Sequence, residues 1–137
     1  MPRETVDFLG YTLGWCYSMR QRRRLIGSRP SQRSLAKVRR EIRELTHRRW
    51  LTLPVETRVE ALNRLLVGWA NYFRLGSVWP AYRSLDWHAC SRLRQWLRRK
   101  HKVAGWGWTR FPDSYLHQTL GLVRLTERTR NLPWAHA

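Results

Sequence analysis

The residue types that could perform chemistry are few in this chain, and they are not grouped. Metal-dependent phosphoryl transfer needs carboxylates that converge on Mg²⁺, and the 137 residues include only nine Asp and Glu. Two pairs, Glu41/Glu44 and Glu56/Glu60, would each share a helix face with basic residues, which is typical of surface ion pairs. The sequence therefore predicts no catalytic residue, no metal site and no cofactor in this chain.

Histidine and cysteine chemistry is equally sparse. The five histidines show no zinc-type spacing and no evident nucleophile as partner. Cys16 and Cys90 lie far apart, and we expect both to be free thiols of an intracellular protein. The N-terminal stretch lacks signal-peptide form, and no apolar run approaches the ~20 residues that span a bilayer. We therefore expect a cytoplasmic protein, in a bacterial cell or the interior of an organelle, that is not secreted.

The charge is the most informative feature of the composition. Twenty-seven Lys and Arg oppose nine Asp and Glu, which gives a net charge of +18. No acidic residue occurs between Phe8 and Arg40, and none between Trp87 and Pro112. Such self-repulsion is relieved by a polyanionic partner, so nucleic acid is the expected ligand and an anionic membrane surface the less favoured alternative.

Apolar periodicity predicts three amphipathic helices, at residues 31–49, 54–76 and 80–100. Short connections between them favour a small helical bundle. Residues 5–28 have the pattern of a β-hairpin, with "SMRQRRR" as its turn. Residues 101–137 are irregular. The predicted fold class is thus mainly α: a three-helix bundle, preceded by a small hairpin and followed by an irregular extension.

The stretch "GWANYFRLG" at residues 68–76 divides between two faces of the second helix. Trp69 and Phe73 continue its apolar stripe and are expected to pack in the core. Asn71 and Arg74 point the opposite way, together with Arg64. The aromatic residues are therefore expected to hold the bundle, and the polar residues to face a partner.

Basic residues on the first and third helices complete the predicted binding surface. Opposite the stripe of the first helix lies a cationic face, and on the third helix three arginines surround Trp87. An arginine with an exposed indole suits phosphate contact and base stacking, although Trp106 and Trp108 could instead cover Trp87. The predicted RNA-binding residues are Arg33, Lys37, Arg40, Arg43, Arg64, Asn71, Arg74, Arg83, Trp87, Arg94, Arg98, Arg99 and Lys100.

Several stretches carry a family resemblance. "FLGYTLG", "RPSQRSLAKVRREIRELT", "LNRLLVGWANYFRLG", "YRSLDWHACSRLRQWLRRKHK" and "GLVRLTERTRNLPWAHA" are similar to the C-terminal part of group II intron reverse transcriptase/maturases. The resemblance covers essentially the whole chain. It implies the end of a reverse-transcriptase palm at residues 1–29, the maturase-specific region (domain X, or thumb) at 30–103 and a C-terminal extension at 104–137.

The resemblance also implies a function. In that family the region binds intron RNA, assists its splicing, and clamps template–primer duplex when joined to a palm, whose catalytic carboxylates would lie upstream. The chain alone is then not an enzyme, and Mg²⁺ is expected only for the RNA or a missing palm. Expected partners are group II intron RNA, an RNA/DNA duplex or target DNA, and a palm fragment. A reverse-transcriptase fragment active only with a separate palm, or a general basic nucleic-acid-binding protein, remain open alternatives.

Overall fold

A computed structural model describes residues 6–18, 23–74, 76 and 78–131, and it begins with a small antiparallel sheet. Its three strands follow chain order: β1 (Val6–Phe8), β2 (Tyr11–Ser18) and β3 (Arg23–Pro30). The β2–β3 register pairs Tyr11 with Pro30 and Ser18 with Arg23. The predicted hairpin is therefore present, with a short additional strand, while its predicted turn lies partly outside the described residues.

Three helices form the body of the protein: α1 (Gln32–Leu45), α2 (Val55–Tyr72) and α3 (Trp79–Lys100). The side chain of Ser31 caps α1 by accepting from the backbone N–H of Ser34 at 3.1 Å. Proline precedes α2 and occupies the first turn of α3, where no backbone donor is lost. No helix among the described residues is both long and apolar enough to cross a membrane. The predicted fold class is confirmed.

The first helix ends earlier than predicted. The carbonyl of Ile42 accepts from both the backbone N–H of Thr46, at 3.1 Å, and its hydroxyl, at 2.9 Å. His47 then caps a short 3-10 turn, Arg48–Trp50, by accepting from the N–H of Arg49. The apolar stripe itself ends at Leu45, since the next positions in step, 48 and 49, are both Arg, so no stripe residue supported the predicted extension to residue 49.

The second helix also ends before the predicted Gly76. The buried hydroxyl of Tyr82, on α3, lies 3.0 Å from the carbonyl of Ala70 and 2.8 Å from that of Phe73. It donates to the free carbonyls at the end of α2, so a neighbouring helix provides the C-terminal cap. Burial raises the pKa of Tyr82 to about 12, and the hydroxyl therefore stays protonated.

The apolar stripes of the three helices meet in one core. Each fully buried Leu contributes about 1.5–3 kcal/mol through removal of its side chain from water. The largest side chains with almost no exposure are Trp96, Tyr82, Ile42, Leu62, Leu66, Leu85, Leu93, Leu97, Leu116 and Leu125.

The segment after α3 belongs to the same core. It contains a π-helical turn, Tyr115–Thr119, and a 3-10 helix, Leu125–Asn131. Its apolar residues Phe111, Leu116 and Leu122 join the cluster formed by the bundle. The predicted irregular extension therefore covers a further face of α3. The division of the chain at residues 29 and 103 stays a prediction.

The sheet is fastened to the bundle through the aromatic residues at the end of α2. The hydroxyl of Tyr11 donates to the carbonyl of Tyr72 at 2.6 Å, and that of Tyr72 donates to the carbonyl of Leu9 at 2.7 Å. Gly10 has a φ of +85°, and a Cβ there would lie 2.9 Å from the ring of Phe73. Only glycine combines this conformation with so close an approach.

Candidate nucleic-acid interface

The outer face of α1 is cationic and uncovered. Four of its predicted RNA-binding residues are exposed: Arg33, Lys37, Arg40 and Arg43. Within the described part of the chain, no hydrogen bond or salt bridge occupies any of their charged groups. The predicted orientation of this face is confirmed, and its contact with RNA remains a prediction.

Basic residues of α1 and α3 lie beside one another. The guanidinium of Arg39 donates to the hydroxyl of Ser84, and a ring nitrogen of His88 lies 3.3 Å from the carbonyl of Arg39. Burial lowers the pKa of His88, and the charges of Arg39, Arg92 and Arg43 lower it further. The two helices therefore place their cations within electrostatic reach of each other.

The same cluster extends along α3. Burial lowers the pKa of Arg92, and the nearby charges of Arg43 and Arg99 add to this effect. We refer to Arg39, Arg43, His88, Arg92 and Arg99 as the α1–α3 basic surface. Sequence reasoning missed Arg39, His88 and Arg92. The spacing of His88, Arg92 and Arg99 along one helical face is the signal that could have found the two α3 residues.

Acidic residues do not neutralise this surface. In the described ranges, no salt bridge joins a carboxylate to the α1–α3 basic surface. Glu44, which follows Arg43 in the chain, instead forms a salt bridge with Arg49. A concentration of like charge without counter-charge is an electrostatic footprint of a polyanion-binding protein.

Arg94 lies in the core, so the expectation that it surrounds Trp87 at the surface is wrong. Only 3% of the residue is exposed. Its guanidinium donates to the carbonyl of Phe111 at 2.7 Å and to the carboxylate of Asp113, and it lies 3.9 Å from the ring centroid of Trp108. The segment after α3 supplies all three partners, and it covers the side of the helix that the sequence pattern left open.

Arg98 and Lys100 are also engaged by the protein itself. The guanidinium of Arg98 is half-buried and donates to the carbonyl of Gly105. The ammonium of Lys100 donates to the carbonyls of Leu51 and Leu53, at 2.7 and 2.8 Å. These contacts satisfy carbonyls in the loops after α3 and before α2, and RNA contact by either residue stays a prediction.

Tryptophan side chains near α3 are unusually exposed. Trp87 is 67% exposed and Trp106 is 80% exposed, so the alternative in which the "GWGW" segment covers Trp87 is wrong. That segment covers Arg94 instead. Arg83, one turn before Trp87, is exposed and lies over the ring of Trp79 at 5.3 Å. An exposed indole near exposed arginine is suited to base stacking.

The "GWANYFRLG" stretch divides as its pattern predicts. Phe73 is buried and stacks on the partly buried Trp69, with ring centroids 4.6 Å apart. Asn71 and Arg74 are exposed, as is Arg64. The side-chain oxygen of Asn71 accepts from Arg128 at 2.8 Å, so this residue also helps to hold the C-terminal segment.

Two further polar residues position the C-terminal segment, and sequence reasoning missed their role. The carboxylate of Asp86 accepts from the backbone N–H groups of Leu125 and Thr126, at 2.7 and 3.0 Å. Burial raises the pKa of Asp86, and these hydrogen bonds oppose that effect. Asn63 donates to the carbonyl of Gly121 and accepts from the N–H of Val123. Both residues stand in the motifs "LNRLL" and "SLDWH" that carry the family resemblance.

The contact between Cys90 and His117 lacks the properties of a catalytic pair. The Cys90 sulfur lies 3.2 Å from a ring nitrogen of His117, whose other nitrogen is 2.8 Å from the carbonyl of Leu122. Burial raises the pKa of Cys90 to about 12, so the thiolate required for nucleophilic attack does not form at neutral pH. Among the described residues, no group of three or more His, Cys, Asp or Glu could hold a metal ion.

Comparison with known proteins identifies the family. No curated protein matches the chain significantly. The sequence model described as "Group II intron, maturase-specific domain" matches residues 35–112, which is more than half of the chain and includes all of α2 and α3 and most of α1. The protein therefore belongs to the group II intron maturase-specific domain family.

Proposed function

We propose that this chain binds group II intron RNA through the outer face of α1 and the α1–α3 basic surface, and thereby assists folding of the intron for splicing. The observation that carries the proposal is the cluster of Arg39, Arg43, Arg92 and Arg99. Their charges act on one another or on His88 between them, and no carboxylate in the described residues forms a salt bridge with them. RNA phosphates would supply the missing negative charge.

Exposed aromatic side chains add a second kind of contact. Trp87 presents 67% of its surface to solvent on α3. Base–aromatic stacking tolerates any base, since every base has a flat face. We infer that Trp87 stacks on an unpaired base of the RNA, while Arg83 contacts phosphate.

The direct test is the salt dependence of RNA affinity. Each phosphate contact releases counterions, so for about six contacts the logarithm of the association constant should fall with the logarithm of salt concentration at a slope of about −4 to −5. A structured intron RNA and a plain duplex are titrated in parallel. Absence of measurable binding to either RNA at low salt would contradict the proposal.

Stacking by Trp87 is separable from charge. Trp87→Ala should weaken binding to RNA with unpaired bases by about 1–3 kcal/mol without changing the salt slope, because stacking releases no ions. Binding to the plain duplex should be unchanged. A variant that binds both RNAs like the original chain would remove Trp87 from the interface.

Attachment of the sheet to the bundle supports a second candidate function, as part of a reverse transcriptase that works with a separate palm. The reciprocal hydrogen bonds of Tyr11 and Tyr72 would fix the thumb relative to such a palm. We expect no primer extension by the chain alone, and extension once a palm fragment is added. Extension by the chain alone above a contaminant control would contradict this assignment.

The alternative of a general nucleic-acid-binding protein has its own test. Equal affinity for intron RNA and for an arbitrary duplex would favour it.

A further inference from the structure

A groove runs between α1 and α2 on the side where the Leu9–Gly10 turn meets the bundle. Its volume is about 550 Å³. Lys37 lies on the α1 side, and Arg64 and Gly68 on the α2 side, with Leu9 and Tyr72 at one end. We call this feature the α1–α2 groove. It is distinct from the α1–α3 basic surface, and none of the residues of that surface lines it.

Gly68 is the unexpected residue of the groove. It lies within α2, where glycine is a poorer helix former than alanine. A Cβ added at Gly68 would meet nothing within 4 Å, so packing among the described residues does not require glycine there. Gly10 differs in this respect, because a Cβ added there would lie 2.9 Å from the ring of Phe73. Glycine without an internal reason is typical of a helix whose backbone is approached closely by a ligand.

The groove offers both cations and apolar surface. Lys37 and Arg64 are exposed on its opposite sides. The ring of Tyr72 is 54% exposed, and its hydroxyl is held by the carbonyl of Leu9, so the ring is fixed in place. Glu41, half-buried in the same groove, can accept hydrogen bonds from an amine or hydroxyl donor. A phosphate must therefore lie toward Lys37 and Arg64, away from Glu41.

We propose that the α1–α2 groove holds one unpaired nucleotide of the bound RNA. Its base contacts the open helix surface at Gly68 and the ring of Tyr72, its phosphate pairs with Lys37 or Arg64, and a base amine or ribose hydroxyl donates to Glu41. The inference rests on the proposed RNA-binding function and adds to it a second site for an unpaired base, on the opposite side of α1 from Trp87's helix. A paired nucleotide cannot enter, because its base is stacked inside the duplex.

The test uses a hairpin RNA with an unpaired loop and a fully paired duplex with the same stem. Gly68→Leu fills the groove without changing any charge, and we expect it to weaken binding to the hairpin by about tenfold, the effect of losing one stacked base. Its binding to the duplex should be unchanged. Thr57→Leu, which places the same leucine side chain at an exposed position near the start of α2, should bind both RNAs like the original chain.

The outcomes separate this inference from the proposed function. Unchanged binding of Gly68→Leu to both RNAs, or equal weakening for both, would overturn the groove assignment while leaving RNA binding intact. Failure of the original chain to bind either RNA would contradict the proposed function itself. If Gly68→Leu lowers the denaturation midpoint, Gly68→Ala replaces it, since its methyl group has open space and alanine favours the helix. It should fold at least as stably and still weaken hairpin binding selectively, and no selective weakening would overturn the inference.

Photocrosslinking provides an independent measurement. A thiouridine placed in the hairpin loop should crosslink to the peptide that contains residues 64–73 of the original chain. The crosslink should disappear in Gly68→Leu and persist in Thr57→Leu. Crosslinks confined to other peptides would overturn the groove assignment.

Discussion

The outer face of α1 and the C-terminal half of α3 are both rich in basic residues, yet they use them in opposite ways. On α1, Arg33, Lys37 and Arg40 extend into solvent. On α3, Arg94 and Lys100 donate to backbone carbonyls of other segments. These cations of α1 are thus left open to solvent, whereas Arg94 and Lys100 of α3 meet internal hydrogen-bond requirements of the fold.

The difference follows from what packs against each helix. The outer face of α1 is uncovered in the described structure, so nothing competes with solvent or phosphate for its cations. By contrast, α3 is surrounded by α1, α2 and the segment after residue 101, which brings free carbonyls to its surface. A long cationic side chain can cover apolar surface with its methylenes while its charged end satisfies such carbonyls. Whether another segment packs over an arginine therefore decides its role.

The largest expected difference lies between Arg94 and Arg40. Arg94→Ala removes the hydrogen bond to Phe111, the ion pair with Asp113 and the contact with Trp108, and should lower the free energy of unfolding by about 2–4 kcal/mol. Arg40→Ala should change it by no more than about 0.5 kcal/mol. Denaturant unfolding monitored by circular dichroism measures both. Equal stabilities of the two variants would break the comparison.

An acidic residue of α3 should show the next largest effect. Asp86→Ala leaves the backbone N–H groups of Leu125 and Thr126 without their acceptor, which should cost about 1–3 kcal/mol of unfolding free energy. Glu60→Ala, at an exposed position of α2, should cost less than about 0.5 kcal/mol. Proteolysis should also cut the C-terminal segment faster in the Asp86 variant. A protease pattern like that of the original chain would indicate that Asp86 does not hold this segment.

A matched pair of lysines sharpens the comparison further. Lys100→Met keeps the apolar stem and removes the ammonium that bonds the carbonyls of Leu51 and Leu53, so unfolding free energy should fall by about 1 kcal/mol. Lys37→Met, on α1, should leave stability unchanged and weaken RNA binding. Thermal melting and RNA affinity of the two variants are measured together. The reverse pattern would assign Lys100 to the interface and Lys37 to the fold.

The smallest effect concerns pH. Burial lowers the pKa of His88 below its ordinary value of 6.5. The contact of its ring with the carbonyl of Arg39 raises this pKa, and the charges of Arg39, Arg92 and Arg43 lower it. The unfolded chain then binds a proton more readily than the folded chain, so stability should decrease as pH falls below 6.5 toward the folded-state pKa. His88→Gln should flatten this part of the stability–pH profile. Superimposable profiles for the two proteins would contradict the lowered pKa of His88 in the folded chain.

Sequence reasoning predicted the features that depend on one helix at a time. The apolar stripes placed Phe73 inside and Asn71 and Arg74 outside, since a period of 3.6 residues defines the faces of an isolated helix. The strands were also predictable, because alternating residues and glycines mark them locally. These elements needed no knowledge of their neighbours.

Sequence reasoning could not predict which distant segments of the chain pack over a helix. Arg94 lies off the apolar stripe of α3, and only the fold shows that Phe111 and Asp113 pack over it. Trp87 shows the converse, because the segment expected to cover it packs against Arg94. Contacts between residues far apart in sequence determine both the burial of Arg94 and the exposure of Trp87. The periodicity of a single helix does not reveal such contacts.

The most direct test of the proposed interface compares Arg43→Met with Arg94→Met. Both substitutions remove one positive charge, so the net charge of the chain changes equally, and methionine retains much of the apolar stem. RNA affinity is measured over a range of salt concentrations, at a temperature where both variants are folded. Arg43→Met should make the slope of log affinity against log salt shallower by up to about 0.7–0.9, the value for one phosphate contact, while Arg94→Met leaves it unchanged. Equal slopes for the two variants, or a change in Arg94→Met alone, would contradict the assignment of RNA binding to the α1–α3 basic surface.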